Sequence, residues 1–452
     1  MNYTTTTNGA VTNSTSGKEC LDLFQRIGNL RYSDRLEILE SFETAYQDDK
    51  ELATQVLFWA RAARIGAGER KTFHTILREI EKTSPDFISD NAITLAELGY
   101  WKDLLPYLDN DKVVSIFAQA IRDKDRLACK WAPRKCSLLR DELGFTNKQY
   151  RKWLKKHSET VEQQMSSQQW SDIKYSSVPG AAMRRYGRSF DKQDSQRFDQ
   201  WKNDKTTKAA VSATYPHEIL ACDDEALAQK MWDNLPNLLE NTTERILPMI
   251  DTSGSMFGMP LTIALGLGVY LAQRNESDFK DMFLSFSEEP ELIKLQGDTI
   301  GEIMRTTEGA HWGMNTDFEK AYRLILDRAI AFNVDPDSMP TMLLVLSDMQ
   351  FDESQQGGDF KTHYSWMAED YEKAGYKLPK IVFWNLDAHM GTPARCSDEN
   401  VAMVSGFSPS IMKAILNAEN FTPMDVMLEA LKPIDLDYTN LKDELDIDWT
   451  IE

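Results

Sequence analysis

Apolar residues recur through the first half of the chain at spacings of three and four. Leu21, Leu23, Phe24 and Ile27 form one stripe, and Leu36, Ile38, Leu39, Phe42 and Tyr46 form the next. Val56, Leu57, Trp59 and Ala60 continue the series until Gly66-Ala67-Gly68. Phe73, Ile76, Leu77 and Ile80 resume it, followed by Ile93, Leu95, Leu98, Trp101, Leu104 and Leu105. This is the period of an amphipathic helix, whose core-facing positions return every ~3.6 residues. Pieces of about 10–15 residues with short connections, and no strand pattern between them, predict a stacked, HEAT-like helical-repeat domain over residues 19–240. Residues 1–18, rich in Thr, Asn, Ser and Gly, predict a flexible or extended lead-in.

Near residue 240 the period changes. Unbroken apolar runs at 245–250, 282–286, 342–346, 381–385 and 401–404 alternate with helical patterns at 261–272, 318–332, 366–374 and 410–416. Continuous apolar strands separated by amphipathic helices predict a doubly wound, Rossmann-like α/β domain over 241–418, its parallel sheet covered on both faces. Residues 419–452 predict an acidic C-terminal helix and tail, with Lys442 to Trp449 exposed.

Sheets of this kind bind ligands in the loops at the carboxyl ends of their strands. Directly after Ile246-Leu247-Pro248-Met249-Ile250 comes Asp251-Thr252-Ser253-Gly254-Ser255-Met256, and Asp348 closes Leu343-Leu344-Val345-Leu346-Ser347-Asp348. A carboxylate and two hydroxyls at alternating positions are hard oxygen ligands. They suit Mg²⁺, or another divalent cation such as Mn²⁺ or Ca²⁺. A bland alternative makes Asp251 the cap of the next helix, with Ser253 and Ser255 as turn residues.

Charge adds a second candidate surface. The net charge is −20, yet residues 121–210 hold 21 Lys and Arg against 11 Asp and Glu, a balance of +10. The other residues carry 30 basic and 60 acidic side chains, a balance of −30. Tyr150, Trp153, Trp170, Tyr175, Tyr186, Phe190, Phe198 and Trp201 lie among the basic residues. A basic field with interleaved aromatics can follow a phosphate backbone and stack unpaired bases. The bland alternative is a set of solvated helix faces.

Other features exclude function classes. Five scattered cysteines without a Cys-x-x-Cys pair predict a reducing compartment, the cytoplasm, and no disulfide-linked partner. No apolar run reaches the roughly 18 residues of a membrane span, so no membrane contact is expected. The six histidines show no metal-ligand spacing. Neither a Gly-x-Ser-x-Gly elbow nor a Gly-x-x-x-x-Gly-Lys phosphate loop occurs, so the chain is expected not to be an enzyme; a metal-dependent hydrolase is the weaker alternative.

Asp251-Thr252-Ser253-Gly254-Ser255-Met256 resembles the Asp-x-Ser-x-Ser loop of von Willebrand factor A domains, the metal-ion-dependent adhesion site. Gly313-Met314-Asn315-Thr316-Asp317 and Ser347-Asp348-Met349 stand where those domains carry a Thr and a further Asp. The resemblance implies that Ser253, Ser255 and Thr316 coordinate the cation with Asp251 and Asp348, some through water, and that a partner's Asp or Glu fills the open position. Here Met314-Asn315 replace the Gly-Gly or Gly-Thr pair common before that Thr.

Arg61-Ala62-Ala63-Arg64-Ile65-Gly66-Ala67-Gly68-Glu69-Arg70 is similar to an element of helical-repeat proteins fused to such A domains. So are Gly99 to Leu104, Lys130-Trp131-Ala132-Pro133, Tyr150-Arg151-Lys152 and Val178-Pro179. Ro/TROVE-like proteins, which bind RNA, share this architecture, as does a largely uncharacterised group from viruses, bacteria and plants that the chain resembles more closely; the resemblance covers most of residues 8–418. It implies an RNA-binding scaffold. Its candidate contacts are Arg61, Arg64, Arg70, Lys130, Arg134, Lys135, Arg151, Lys152, Arg184, Arg185 and Arg188. A turn whose charges pair internally is the other reading of Arg61 to Arg70. A protein-interaction module without RNA is the alternative function.

Overall fold

Several helices of the first half begin where the sequence supplies a side-chain cap. The Asp34 carboxylate accepts the Glu37 N–H at 2.9 Å and starts the helix Arg35–Asp48. Asp49 accepts the Leu52 N–H at 3.0 Å and starts Lys50–Arg61 immediately afterwards. Thr146 and Gln149 form a reciprocal capping box ahead of Asn147–Ser158. In this computed structural model, residues 3–5, 11–240, 242–276, 278–286, 290–308, 318–350, 360–387, 392–447 and 449 are described.

Helices Glu19–Ile27, Arg35–Asp48, Lys50–Arg61 and Lys71–Thr83 pack against one another, and further helices, among them the 24-residue Gly180–Asn203, extend the array to Glu225–Asp233. Most of their apolar stripes, including Phe24, Phe42, Phe117 and Phe198, are fully buried, whereas Leu36 and Ile93 face outward. Burial outweighs the low propensity of many six-residue pieces to stand alone.

Eight strands are described. β1 (Tyr3–Thr5) and β2 (Val11–Asn13) form a small antiparallel pair. β3 (Ile246–Asp251), β4 (Met282–Phe286), β5 (Leu292–Lys294), β6 (Met342–Ser347), β7 (Lys380–Asn385) and β8 (Val401–Ser405) form a six-stranded sheet in the order β5-β4-β3-β6-β7-β8. Five strands are parallel, whereas β5 is antiparallel to β4, so the sheet is mixed rather than all-parallel as the sequence reading expected. β5 was missed because three half-exposed residues carry too little pattern to read as a strand.

Two further expectations are corrected. The described end of the lead-in, residues 11–18, is tied down: Asn13 and Thr392 exchange backbone hydrogen bonds, and the Cys396 N–H donates to the Ser16 carbonyl. The acidic tail is not simply exposed. Helix Pro423–Leu431 packs on β8 and the first helices, and the chain then returns across the helical half. The Gln55 amide donates to the Leu431 and Ile434 carbonyls, Asn91 and Asp437 bond reciprocally, and the Lys442 N–H reaches the Ser84 hydroxyl at 3.0 Å. Leu441 and Ile447, set among the acids, are buried.

The halves meet closely. A β-carbon at Gly28 would lie 2.8 Å from Gly406 backbone, and one at Gly266 would lie 2.8 Å from the His217 nitrogen. At this seam the His217 ring stacks on Tyr215 and meets Phe407 edge-on. Burial, aided by Arg184 and Arg31, pushes the His217 imidazole down to about 4 from 6.5. The unfolded chain therefore takes up a proton that the fold resists. Stability is expected to fall as pH drops from about 6.5 to 4, on the order of 2 kcal/mol. The slope of unfolding free energy against pH should flatten over that window in His217→Gln. An unchanged slope would sink the assignment.

Candidate metal centre

The strand order reverses at β3: the chain leaves it for β4 on one side, and β6 lies on the other. Such a switch opens a crevice at the carboxyl ends of the two strands. Ile250 stands opposite Leu346, so Asp251 and Ser347 finish their strands together and Asp348 follows at once.

Asp251 and Asp348 are both fully buried. The Asp251 carboxylate accepts the Ser253 N–H at 2.9 Å through Oδ1 and the Ser347 hydroxyl at 2.5 Å through Oδ2. The Ser253 and Ser255 hydroxyls lie 3.0 Å apart, the second exposed. Asp348 Oδ1 accepts the Gln350 N–H at 3.0 Å, while its Oδ2 is buried with no hydrogen-bond partner. The turn is held by the Met349 N–H donating to Ser347 Oγ, with Met349 in the left-handed region at φ 66°.

Two buried carboxylates in one crevice carry a heavy desolvation cost unless a positive charge joins them. Burial first, and the Asp348 charge second, push the Asp251 carboxyl up to about 7, against hydrogen bonds from Ser347 and Ser253 that favour ionisation. A divalent cation between them would satisfy both groups and the orphaned Oδ2. Among the described residues, no group of three or more His, Cys, Asp or Glu side chains is placed to hold a metal ion. The centre thus offers two carboxylates and hydroxyls, a set that suits a hard ion keeping several waters rather than zinc. The residues present fit Mg²⁺.

Asp251, Ser253, Ser255 and Asp348 come together at this edge. Thr316, with the rest of 313–317, lies outside the described residues. The sequence reading missed Ser347, which fixes the Asp251 carboxylate from the neighbouring strand. Its signal was a hydroxyl at the last position of an otherwise apolar strand. Beyond the loop, Gly258 turns the chain at φ 103°, which a side chain would resist, and leaves Phe257 88% and Met259 52% exposed beside the crevice.

The proposed phosphate contacts separate into two groups. Arg61 is 2% exposed and forms a buried pair with Asp103 at 2.6 Å, so it cannot face RNA. Asp103 also meets His74 at 3.0 Å and Arg70 at 3.7 Å, and Glu69 pairs with Arg31. Arg61, Glu69 and Arg70 of this element therefore take part in ion pairs within the chain, while, among the described residues, Arg64 does not. Arg184 pairs with Glu218, Arg188 with Asp223 and Lys130 with Glu162. Arg64, Arg134, Lys135, Arg151, Lys152 and Arg185 are exposed. The expected stacking platform is absent from this group: Tyr150, Tyr175, Phe190, Phe198 and Trp201 are buried, and Trp153, Trp170 and Tyr186 pack against the core. The spacing of the five buried ones marks the packed core.

No described helix is long and apolar enough to cross a membrane, and Cys20, Cys129, Cys136, Cys222 and Cys396 are free thiols.

Two protein-family profiles match the chain, both described as domains of unknown function. DUF2828 matches residues 6–113 and 138–244, and DUF7788 matches residues 246–443. The chain is similar to the uncharacterized protein L728 of Acanthamoeba polyphaga mimivirus. The two are 28% identical over 504 residues, covering 96% of this chain and 88% of the relative.

Proposed function

We propose that this protein is a non-enzymatic docking scaffold. Its α/β half, read as a von Willebrand factor A-like domain, holds a divalent cation through Asp251, Ser253, Ser255 and Asp348, with Thr316 as a further ligand. The buried, partnerless Asp348 Oδ2 carries this reading. Hydroxyl and water ligands leave the ion under-neutralised, so it attracts a carboxylate from a partner protein. Isothermal titration of Mg²⁺ into the chelator-treated chain should show one site, lost in Asp348→Ala. A chain that takes up no Mg²⁺, Mn²⁺ or Ca²⁺ would falsify the proposal.

In the same reading the helical half is HEAT-like, stacked as in Ro/TROVE-like proteins, and contacts RNA. The exposed set of Arg64, Arg134, Lys135, Arg151, Lys152 and Arg185 supports that contact, which would rest on phosphates rather than on base stacking. A protein-interaction module without RNA remains the second reading, favoured by exposed Phe257 and Met259 beside the crevice.

A further inference from the structure

A cleft of about 650 Å³ lies between the end of helix Asn147–Ser158, helix Val161–Ser166 and the segment leading to Pro179. Arg126, Lys152, Lys155, Lys156 and Lys174 line it, and all five are exposed. Among the described residues none of them pairs with a carboxylate, unlike Lys130, Arg184 and Arg188 nearby.

Part of this arrangement has a structural cause. Lys155 and Lys156 occupy the last turn of their helix, where a positive charge complements the macrodipole. Arg126 donates to the Ser158 carbonyl at 3.3 Å and covers the same helix end. That cause does not extend to Lys152, one turn earlier, or to Lys174, which arrives from a separate segment. Lys152 repels Lys155 and Lys156 at spacings of three and four on one helix face. Convergence of five like charges on one concavity raises the energy of the empty site and lowers that of an anion-filled one.

We infer that this cleft binds a compact, multiply phosphorylated small anion. Lysines meet phosphate as point charges from several directions, and Arg126 adds a planar donor fork. The volume lies within the usual range of small-molecule sites, roughly 300–1,000 Å³. Glu159 and Asp172 also line the cleft, so its five basic side chains leave an excess of three positive charges, gathered in one concavity rather than along a track. An extended nucleic-acid backbone would need such a track, and the aromatics of this region are packed inside. The inference goes beyond the docking and RNA readings and does not depend on the metal centre.

Inositol hexakisphosphate serves as the probe, titrated calorimetrically into the full chain in chelator so that the metal centre takes no part. One-to-one binding is expected, weakened at least tenfold in the Lys155→Glu/Lys156→Glu double variant. It should change less than twofold in Lys192→Glu, an exposed basic position outside the cleft. Circular dichroism would confirm that the variants fold. Absence of saturable binding overturns the inference, as does an equal loss in the Lys192 variant, which would mean diffuse attraction. Displacement of the probe by a single-stranded RNA that binds more tightly and shows the same variant dependence would also overturn it, assigning the cleft to nucleic acid.

Discussion

Asp251→Asn and Asp348→Asn are each expected to stabilise the metal-free protein while abolishing its response to Mg²⁺. The folded-state pKa of Asp251 is raised from 3.8 to about 7. Stability linked to this group is therefore complete below about 3.8 and is lost as pH rises through about 7. At pH 7.5 in chelator, nearly all of that penalty is present. Removing the charge should return about 1–3 kcal/mol, less whatever the lost acceptor costs, because Asn keeps only one acceptor oxygen. In the parent protein, a cation at 100 times its dissociation constant contributes about 2.7 kcal/mol. Both variants should lose that gain. Urea unfolding with chelator and with millimolar Mg²⁺ would give all the values. If the variants are less stable than the parent in chelator, the carboxylates are structural and the metal reading fails.

The second large effect lies far from that crevice. Asp103 is 1% exposed and accepts Arg61 through Nε at 2.9 Å and a terminal nitrogen at 2.6 Å, besides His74 and the Tyr100 N–H. Asp103→Ala strands the Arg61 guanidinium in the interior and should cost about 3–5 kcal/mol. Arg61→Met with Asp103→Leu, which removes both charges, should recover most of that loss. Burial pushes the Asp103 carboxyl up, but the bonds from His74 and Arg61 outweigh it and hold the group below its ordinary 3.8. Its contribution is thus present above pH 3.8 and lost as pH falls through the lower folded value. Urea midpoints of the two variants at neutral pH, and of the parent below pH 4, test both statements. A double variant as unstable as Asp103→Ala would rule out the stranded charge as the cause.

Why the sequence revealed some of this and not the rest has a physical basis. Fully apolar strands such as Leu343 to Leu346 announce a covered sheet, and their ends locate Asp251 and Asp348 without further information. Ser347 was invisible as a site residue because its role depends on which strand lies beside β3, and local sequence does not encode strand order. Arg61 was misplaced for a similar reason. Arg61 and Arg64 are three residues apart, yet one is buried against Asp103, 42 positions away, and the other faces water. Aromatic spacing among the lysines was ambiguous in principle, since one period describes both a stacking face and a helix core. The tail misled because its acids outnumber its apolar anchors, although Leu441 and Ile447 are enough to hold it down.

The strap formed by residues 432–447 sets the order in which the molecule can be completed. Tyr46 and Asn91 find their partners at Lys442 and Asp437, at separations of 396 and 346 residues. On the ribosome, the first helices emerge and collapse long before those partners exist. Closing so long a loop is entropically slow, and it must wait for the intervening sheet. During that interval the surface around Ser84, Phe87 and Asn91 stays open to water. The helical half is therefore a vestibule during synthesis, sealed only when the segment that crosses it has been made.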